Sequence, residues 1–268
     1  MGGLAARGAL VAAVAALAAG CGGSHVSSQQ KALSAYLQQV NAVDKSMIVA
    51  VQRVNAAYLR FRGGKTTPSS RQLRTAEATI LTIRDRVAAI DAPPAAATVH
   101  RDLLRLFTDD ALVAHELTQM VAFLPPFQKS GGSFVAAHRE LSTGLRTAKK
   151  PAAEAAVLER YAARCQAQLA ALRGLTPPAV LMPLYASRIL HLQKSDVLAT
   201  ELATALRRHE RARVPGLSMR LEALEGGVEE LNGANAESIA VAAYTRRLDE
   251  IQRLENRISR ELTKLQTG

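Results

Sequence analysis

The chain has few aromatic residues, no tryptophan and almost no strand patterning. Aromatic side chains make up 4% of its 268 residues. Runs in which apolar β-branched residues alternate with polar ones are nearly missing, and this excludes a protein built on sheets. Gly and Pro are few and cluster between apolar stretches, which leaves room for long helices. The sequence therefore predicts an all-α protein.

Motifs that bind metals or activate nucleophiles are also missing. His115-Glu116 is not extended to His-Glu-x-x-His, because residue 119 is Gln. None of the histidines from His100 to His209 has a carboxylate three residues before it, as the di-iron bundles require. The zinc-protease and di-iron classes are therefore not expected.

The remaining polar pairs do not converge on a predicted helix. Asp109 and Asp110 are adjacent, so their carboxylates point about 100° apart, and solvation or pairing with Arg explains them better. His100 and His115 are about four turns apart and cannot share one ion. We predict no catalytic residue, no metal site and no cofactor, and hence that the protein is not an enzyme.

Cysteine occurs twice, which excludes a disulfide framework. Cys165 falls on an apolar stripe at helical spacing and is expected to be a small buried core residue. The stripe consists of Leu158, Ala162, Cys165, Leu169 and Leu172. The second cysteine, Cys21, stands in a different setting near the N-terminus.

The first 21 residues have the layout of a bacterial export signal. Met1–Arg7 carries one positive charge, and Ala9–Ala19 contains only Ala, Val and Leu. The following Ala18-Ala19-Gly20-Cys21 resembles the lipobox of bacterial lipoproteins. The resemblance implies cleavage between Gly20 and Cys21, a diacylglyceryl group on the Cys21 sulfur, and anchoring on the outer face of the cell membrane. A plain secretory signal with the same cut is the alternative, and the run is too short for a transmembrane helix.

The domain plan that follows is a signal peptide at 1–20, a flexible tether at 21–28 and a helical bundle at 29–268. The formal charge is +11 and the pI about 10.2, which suggests an anionic partner. Export argues against nucleic acid. Membrane lipid through Cys21, and anionic lipid or wall polymer through the basic surface, are the expected partners. The alternative is that the arginines are only solvated side chains on the polar faces of helices.

Helical periodicity predicts an elongated antiparallel bundle of about seven to eight helices. Pro93-Pro94, Pro125-Pro126 and Pro177-Pro178 are expected to end helices, and 213–216 to form a turn. Apolar stripes at 217–231 and 236–265 could instead pair with another chain as a coiled coil, so self-association or another protein partner stays open.

An internal duplication is also indicated. Ala-Pro-Pro-Ala at Ala92 and Thr-Pro-Pro-Ala at Thr176 each join two predicted helices, with sub-units at 29–147 and 148–268. The prolines are offset by 84 residues, whereas the downstream match between Ala114 and Ala199 is offset by 85, which predicts one inserted residue. Convergence on a helix–Pro-Pro–helix unit is the alternative.

Three functions are consistent with these features. The first is a lipid-anchored helical lipoprotein that acts as a non-enzymatic interaction or structural module at the cell envelope. In composition the chain is similar to Ala/Arg-rich envelope lipoproteins of high-GC Gram-positive bacteria, a likeness that carries no site residues. The second is a binding protein for an apolar or lipid-like ligand held between helices, which requires an apolar cavity. The third is an envelope enzyme whose site is dispersed along the sequence.

Overall fold

The computed structural model describes residues 28–62, 69–226 and 234–267, and within these ranges the chain forms helices and no strand. The expected all-α class is thereby confirmed. The predicted signal peptide and the residues Gly20 and Cys21 lie outside the described residues. The α-helices are α1 (Ser28–Arg62), α2 (Ser70–Ala88), α3 (Ala97–Thr147), α4 (Pro151–Arg173), α5 (Met182–Arg207), α6 (Val214–Glu225) and α7 (Ala234–Thr267).

The helices form two compact units. Unit 1 contains α1, α2, the part of α3 up to Val121 and the part of α7 from Ala242. Its core is aliphatic, with Ile80, Leu117 and Ile258 fully buried. The rings of Tyr58 and Tyr244 stack with centroids 4.2 Å apart and join α7 to this core. Burial of each large apolar side chain contributes about 1.5–3 kcal/mol, so the packed stripes hold these helices together.

Unit 2 runs from Ala122 to Val241 and contains the rest of α3, then α4, α5, α6 and the start of α7. Here α4 packs along α5, and α5 packs on α6. Its core holds the fully buried Phe127 together with Phe123 and Phe134. The fully buried side chain of Arg188 also lies in this core, with its guanidinium 3.7 Å from the centroid of the Phe127 ring.

The expected break at Pro125-Pro126 is wrong, because α3 continues through both prolines to Thr147. Two prolines remove two hydrogen bonds of the helix, and each costs about 3 kcal/mol. Phe123, Leu124 and Phe127 around them are all buried, which offsets that cost. Tertiary burial therefore overrides the local signal, and the helices expected at 95–123 and 134–147 are one.

Residues 213–216 are likewise not the expected turn. The helix α6 begins at Val214 with Pro215 in its first turn, where a missing backbone N–H costs nothing. Helix α6 ends at Glu225, so the predicted stripe up to residue 231 extends past it. The breaks at Pro93-Pro94 and Pro177-Pro178 are confirmed.

The two units repeat the same elements. Pro93 and Pro178, each extended in conformation, precede the 3₁₀ turns Pro94–Ala96 and Ala179–Leu181. The ends of α2 and α4, Ala88 and Arg173, are 85 residues apart, as are the starts of α3 and α5, Ala97 and Met182. The structural counterpart of Pro93 is thus Pro178, and the predicted inserted residue is not needed.

Burial repeats with the same offset, which supports an internal duplication. Residues 85 apart that are buried in both units include Leu73 and Leu158, Ile80 and Cys165, Leu106 and His191, Leu117 and Leu202. The α1 pattern returns in the second part of α3 at an offset of 87 residues, where Tyr36, Leu37, Met47, Ala50 and Val54 correspond to Phe123, Leu124, Phe134, Ala137 and Leu141.

The units do not coincide with the sub-units 29–147 and 148–268 expected from the sequence. The boundary between them falls inside α3, at Val121 and Ala122, and the C-terminal part of α7 belongs to unit 1. The sequence could not show this, because no loop separates the third helix of the first repeat from the first helix of the second.

Candidate functional sites

A basic cleft lies where the end of α1 meets the start of α2 in unit 1. Its volume is about 570 Å³. Leu73 and Ala57, both buried, supply its apolar wall. The lining residues are Arg53, Ala57, Arg60, Ser69, Arg71, Gln72, Leu73 and Thr75. The cleft is therefore rich in cationic and neutral polar groups, and none of the described residues that line it is acidic.

The three arginines of the basic cleft are exposed and carry no ion pair with a carboxylate of the described residues. The Arg60 Nε donates to the carbonyl of Ala56 at 3.2 Å, which holds that side chain along α1. Some arginines elsewhere in unit 1 are paired: Arg84 contacts Asp85 at 2.6 Å and Arg247 contacts Glu116 at 3.4 Å. The positive charge of the cleft is thus not neutralised by an ion pair with any side chain in the described part of the chain.

Helix geometry adds to this positive potential. Arg71 lies in the first turn of α2, which contains no acidic residue. Ser69 caps that turn, and its Oγ accepts from the Gln72 N–H at 3.4 Å. A helix N-terminus carries roughly half a positive charge, which acidic side chains usually offset. Here arginine stands in their place, so the local field favours an anion.

A polar cluster is buried in unit 2, formed by side chains of α3, α4, α5 and α6. Its members are His138, Tyr161, Cys165, His191, Ser195 and Glu225. The hydroxyl of Ser195 donates to the Glu225 Oε1 at 2.7 Å, and the His138 Nε2 lies 3.9 Å from the Glu225 Oε2. The carboxylate of Glu225 therefore joins α6 to two other helices.

Burial shifts the titration of several members of the polar cluster. Desolvation, reinforced by the nearby Cys165 and Glu225, raises the pKa of Tyr161 well above its ordinary value. Desolvation also raises the pKa of the Cys165 thiol to about 12. For His191 desolvation lowers the pKa, with Glu225 acting in the opposite direction. Near neutral pH the phenol and thiol are thus protonated and His191 is neutral.

These states do not suit the polar cluster to nucleophilic chemistry. A thiol needs a lowered pKa and access to solvent to react, and Cys165 has neither. Ser195 is fully buried, and its hydroxyl hydrogen is directed at Glu225. The cavity beside Tyr161 measures about 70 Å³, too small for a substrate. The arrangement fits a polar contact between helices better than a catalytic centre.

The residues singled out from the sequence are placed separately. Cys165 is buried on the predicted stripe, which confirms the expectation of a core residue. His100 contacts the Tyr36 Oη at 3.1 Å, and the His115 Nδ1 lies 3.1 Å from the Glu77 Oε1, so each has its own partner. Asp109 pairs with Arg105 at 3.7 Å, whereas its neighbour Asp110 is buried rather than solvated.

Sequence reasoning missed both sites. Arg53 and Arg60 are seven residues apart, two helical turns, and this spacing in a segment without acidic residues was the available signal for the basic cleft. For the polar cluster the signal was Glu225, which continues the four-residue spacing of Leu217 and Leu221. An apolar stripe that includes a carboxylate indicates a buried polar contact.

Comparison with known proteins finds no family model, no curated protein and no solved structure that matches this chain. Across residues 28–62, 69–226 and 234–267, no helix has an apolar stretch long enough to cross a membrane. Among the same residues, no three His, Cys, Asp or Glu side chains are placed to hold a metal ion. The two repeated units can still be compared with each other.

Proposed function

We propose that the protein is an exported, lipid-anchored helical module that binds an anionic component of the cell envelope without catalysis. The observation that carries this proposal is the charge of α1, the helix that begins directly after the predicted tether. This helix contains five basic residues and one acidic residue. The predicted acyl anchor on Cys21 would hold α1 next to a lipid surface.

The exposed arginines of α1 are available for such a surface. Arg53, Arg60 and Arg62 are all exposed, and none is paired with a carboxylate of the described residues. A basic residue close to an anionic leaflet contributes about 1 kcal/mol, and salt screens this attraction. Two anchoring signals acting together give stable membrane attachment, whereas a single chain binds only marginally.

The apolar-ligand alternative has less support. It requires a cavity lined by apolar side chains between helices. The larger cleft described above, about 570 Å³, has three arginines and neutral polar groups beside the apolar side chains of Ala57 and Leu73. The cavity beside Tyr161 of the polar cluster, about 70 Å³, is too small for a ligand of that size. We therefore favour an anionic partner.

The anchor is tested by growing cells that express the full chain with a radioactive fatty acid. We expect label on the wild-type protein and none on a Cys21→Ala variant, which should also leave the membrane fraction. Cys165→Ala is the matched control and should retain its label, because that thiol is buried. Equal labelling of wild type and Cys21→Ala, or an unlabelled wild type, would refute the anchor.

A further inference from the structure

We propose that the basic cleft of unit 1 is a specific binding site for a phosphate ester, either a phospholipid head group or a soluble phosphorylated compound. The inference rests on the proposed binding role of the protein but not on its acyl anchor. It assigns that role to Arg53, Arg60 and Arg71 rather than to the basic surface as a whole.

The size of the basic cleft indicates an organic ligand. Small-molecule sites commonly enclose about 300–1,000 Å³, and the cleft measures about 570 Å³. An isolated inorganic anion would fill only part of it. The buried side chains of Leu73 and Ala57 offer an apolar wall for a glycerol or similar backbone.

The arrangement of charges favours phosphate. Arg53 and Arg60 are two turns apart on one face of α1, so their Cα atoms are about 10 Å apart along the helix. Arg71 and the first turn of α2 line the same cleft. Guanidinium groups bind phosphate oxygens through paired hydrogen bonds, and a phosphate monoester carries up to two charges with three acceptor oxygens. Three arginines and a helix N-terminus therefore suit a phosphate ligand better than they suit a carboxylate ligand, which carries one charge and two acceptor oxygens.

The equivalent region of unit 2 is nearly closed, so the repeated helices do not by themselves produce the basic cleft. By the alignment of α1 with the second part of α3, the counterpart of Arg53 is Glu140. Glu140 forms an ion pair with Arg164 at 2.7 Å, and the cavity that both line measures only about 70 Å³. At the position shared by Arg53 and Glu140, a cationic residue is thus present in the unit with the open cleft and an acidic one in the unit with the small cavity.

Helix packing closes the same region in unit 2. Gly144 faces Val157 so closely that a Cβ atom at residue 144 would lie 2.7 Å from the Val157 Cγ1. Their counterparts in unit 1 are Ala57 and Gln72, which both line the basic cleft. Ala57 is larger than its counterpart Gly144, and Gln72 is polar where Val157 is apolar. The tight apolar contact of unit 2 is therefore replaced in unit 1. The open cleft and the basic residue at the position of Glu140 therefore occur in the same unit.

The test uses the purified full chain carrying Cys21→Ala, so that acyl chains add nothing to binding. The site variant is Arg53→Gln, Arg60→Gln and Arg71→Gln combined. The matched control is Arg101→Gln, Arg253→Gln and Arg260→Gln, which removes the same charge from exposed positions of unit 1 outside the cleft. Far-UV circular dichroism checks that both variants stay helical.

Two probes distinguish the sources of the phosphate. Calorimetry measures binding of sn-glycerol 3-phosphate, with inorganic phosphate as the smaller probe. Cosedimentation measures binding to phosphatidylcholine vesicles with and without phosphatidylglycerol. At about fivefold for each basic residue lost, the site variant should bind roughly 150-fold less tightly at most, and at least about thirtyfold less if the contacts are partly exposed. The control should change by less than about threefold.

Each outcome decides the matter. Binding of glycerol phosphate that the site variant loses supports a soluble ligand, and binding only to phosphatidylglycerol vesicles, lost in the same variant, supports a head group. If the site and control variants bind either probe equally well, the cleft is not the site, although the general binding role survives. If the parent chain binds neither probe, both the site and the binding role are refuted, whatever the fatty-acid labelling shows.

Discussion

The hydrogen bond between Ser195 and Glu225 should be a principal determinant of the stability of unit 2. Both residues are buried, and the donor and acceptor are 2.7 Å apart. The Ser195→Ala substitution removes the donor and leaves a buried carboxylate oxygen without it. The second oxygen of Glu225 is held only weakly by His138, whose Nε2 lies 3.9 Å away.

The expected loss follows from the charge of the acceptor. A hydrogen bond to an ionised group contributes about 1.5–3 kcal/mol, and an orphaned buried group costs at least as much. Alanine recovers up to about 0.5 kcal/mol through its higher helix propensity. The free energy of unfolding should therefore fall by about 1–2.5 kcal/mol. The Glu225→Gln variant should lose less, because a neutral amide is cheaper to bury.

The measurement is urea denaturation followed by far-UV circular dichroism, combined with hydrogen exchange of peptides from α5 and α6. Exchange is needed because two units need not unfold in one transition. Ser133→Ala is the matched control, since this exposed hydroxyl bonds only to the carbonyl of Lys129 within α3. It should change the free energy of unfolding by no more than about 0.5 kcal/mol.

A double-mutant cycle decides whether the two side chains act together. Combining Ser195→Ala with Glu225→Gln should give a coupling energy of about 1 kcal/mol or more. A coupling within about 0.3 kcal/mol of zero would refute the reasoning. So would a Ser195→Ala substitution that speeds hydrogen exchange in α1 more than in α6. Ser195→Ala as stable as the Ser133→Ala control would refute it too.

Three further substitutions test other features of unit 2. Burial lowers the pKa of His191, so the unfolded state binds protons more readily than the folded state. The free energy of unfolding should therefore be largest above about pH 6.5 and fall as the pH drops below it. His191→Gln should flatten this dependence in urea titrations, whereas His209→Asn at an exposed position should not. His209 has φ 58° directly after Arg208, the C-terminal cap of α5, and glycine adopts this conformation freely. His209→Gly should raise the free energy of unfolding by about 1 kcal/mol and the melting temperature by about 2–4 °C. Gly144→Ala should lower the free energy of unfolding by about 1–3 kcal/mol, because the new Cβ atom would lie 2.7 Å from the Val157 Cγ1. Adding Val157→Ala should restore most of that loss in the same melts.

Each of these has a clear contrary result. A wild-type stability that does not decline between pH 7 and pH 5 would contradict the burial of a neutral His191. A lower melting temperature for His209→Gly would mean that the imidazole makes a stabilising contact. Gly144→Ala at full stability would show that α3 and α4 are not in close contact there.

Local patterning predicted most of the fold, because long helices leave a strong period in the sequence. The apolar stripe of α4, with Cys165 in it, and the breaks at Pro93-Pro94 and Pro177-Pro178 were all predictable. The continuation of α3 through Pro125 and Pro126 was not. A proline is a local signal with a fixed cost, whereas the burial that offsets it depends on residues far away in the sequence.

The basic cleft was beyond sequence reasoning for a different reason. Periodicity places Arg53, Arg60 and Arg71 on polar faces, where solvation is the ordinary expectation. Only the packing of α1 against α2 shows that they line one cavity. Only the positions of the carboxylates within the described ranges show that the three arginines have no ion pair there. Composition indicated an anionic partner, but the place where it binds depends on the tertiary contact.

The polar cluster shows how the repeat itself could have supplied the missing information. Hydropathy assigns Ser195, His191 and Tyr161 to outward positions, since polar residues are counted as exposed. Their counterparts 85 residues earlier are Asp110, Leu106 and Ala76, all buried. The last two are apolar and mark their positions as inward from sequence alone. Because duplicated helices keep the same face inward, a polar residue opposite an apolar counterpart is expected to be buried and to need a hydrogen-bond partner. The same comparison applied to α1 sets Arg53 opposite Glu140 and Thr79 opposite Arg164, so unit 2 has an ion pair where unit 1 has a single positive charge.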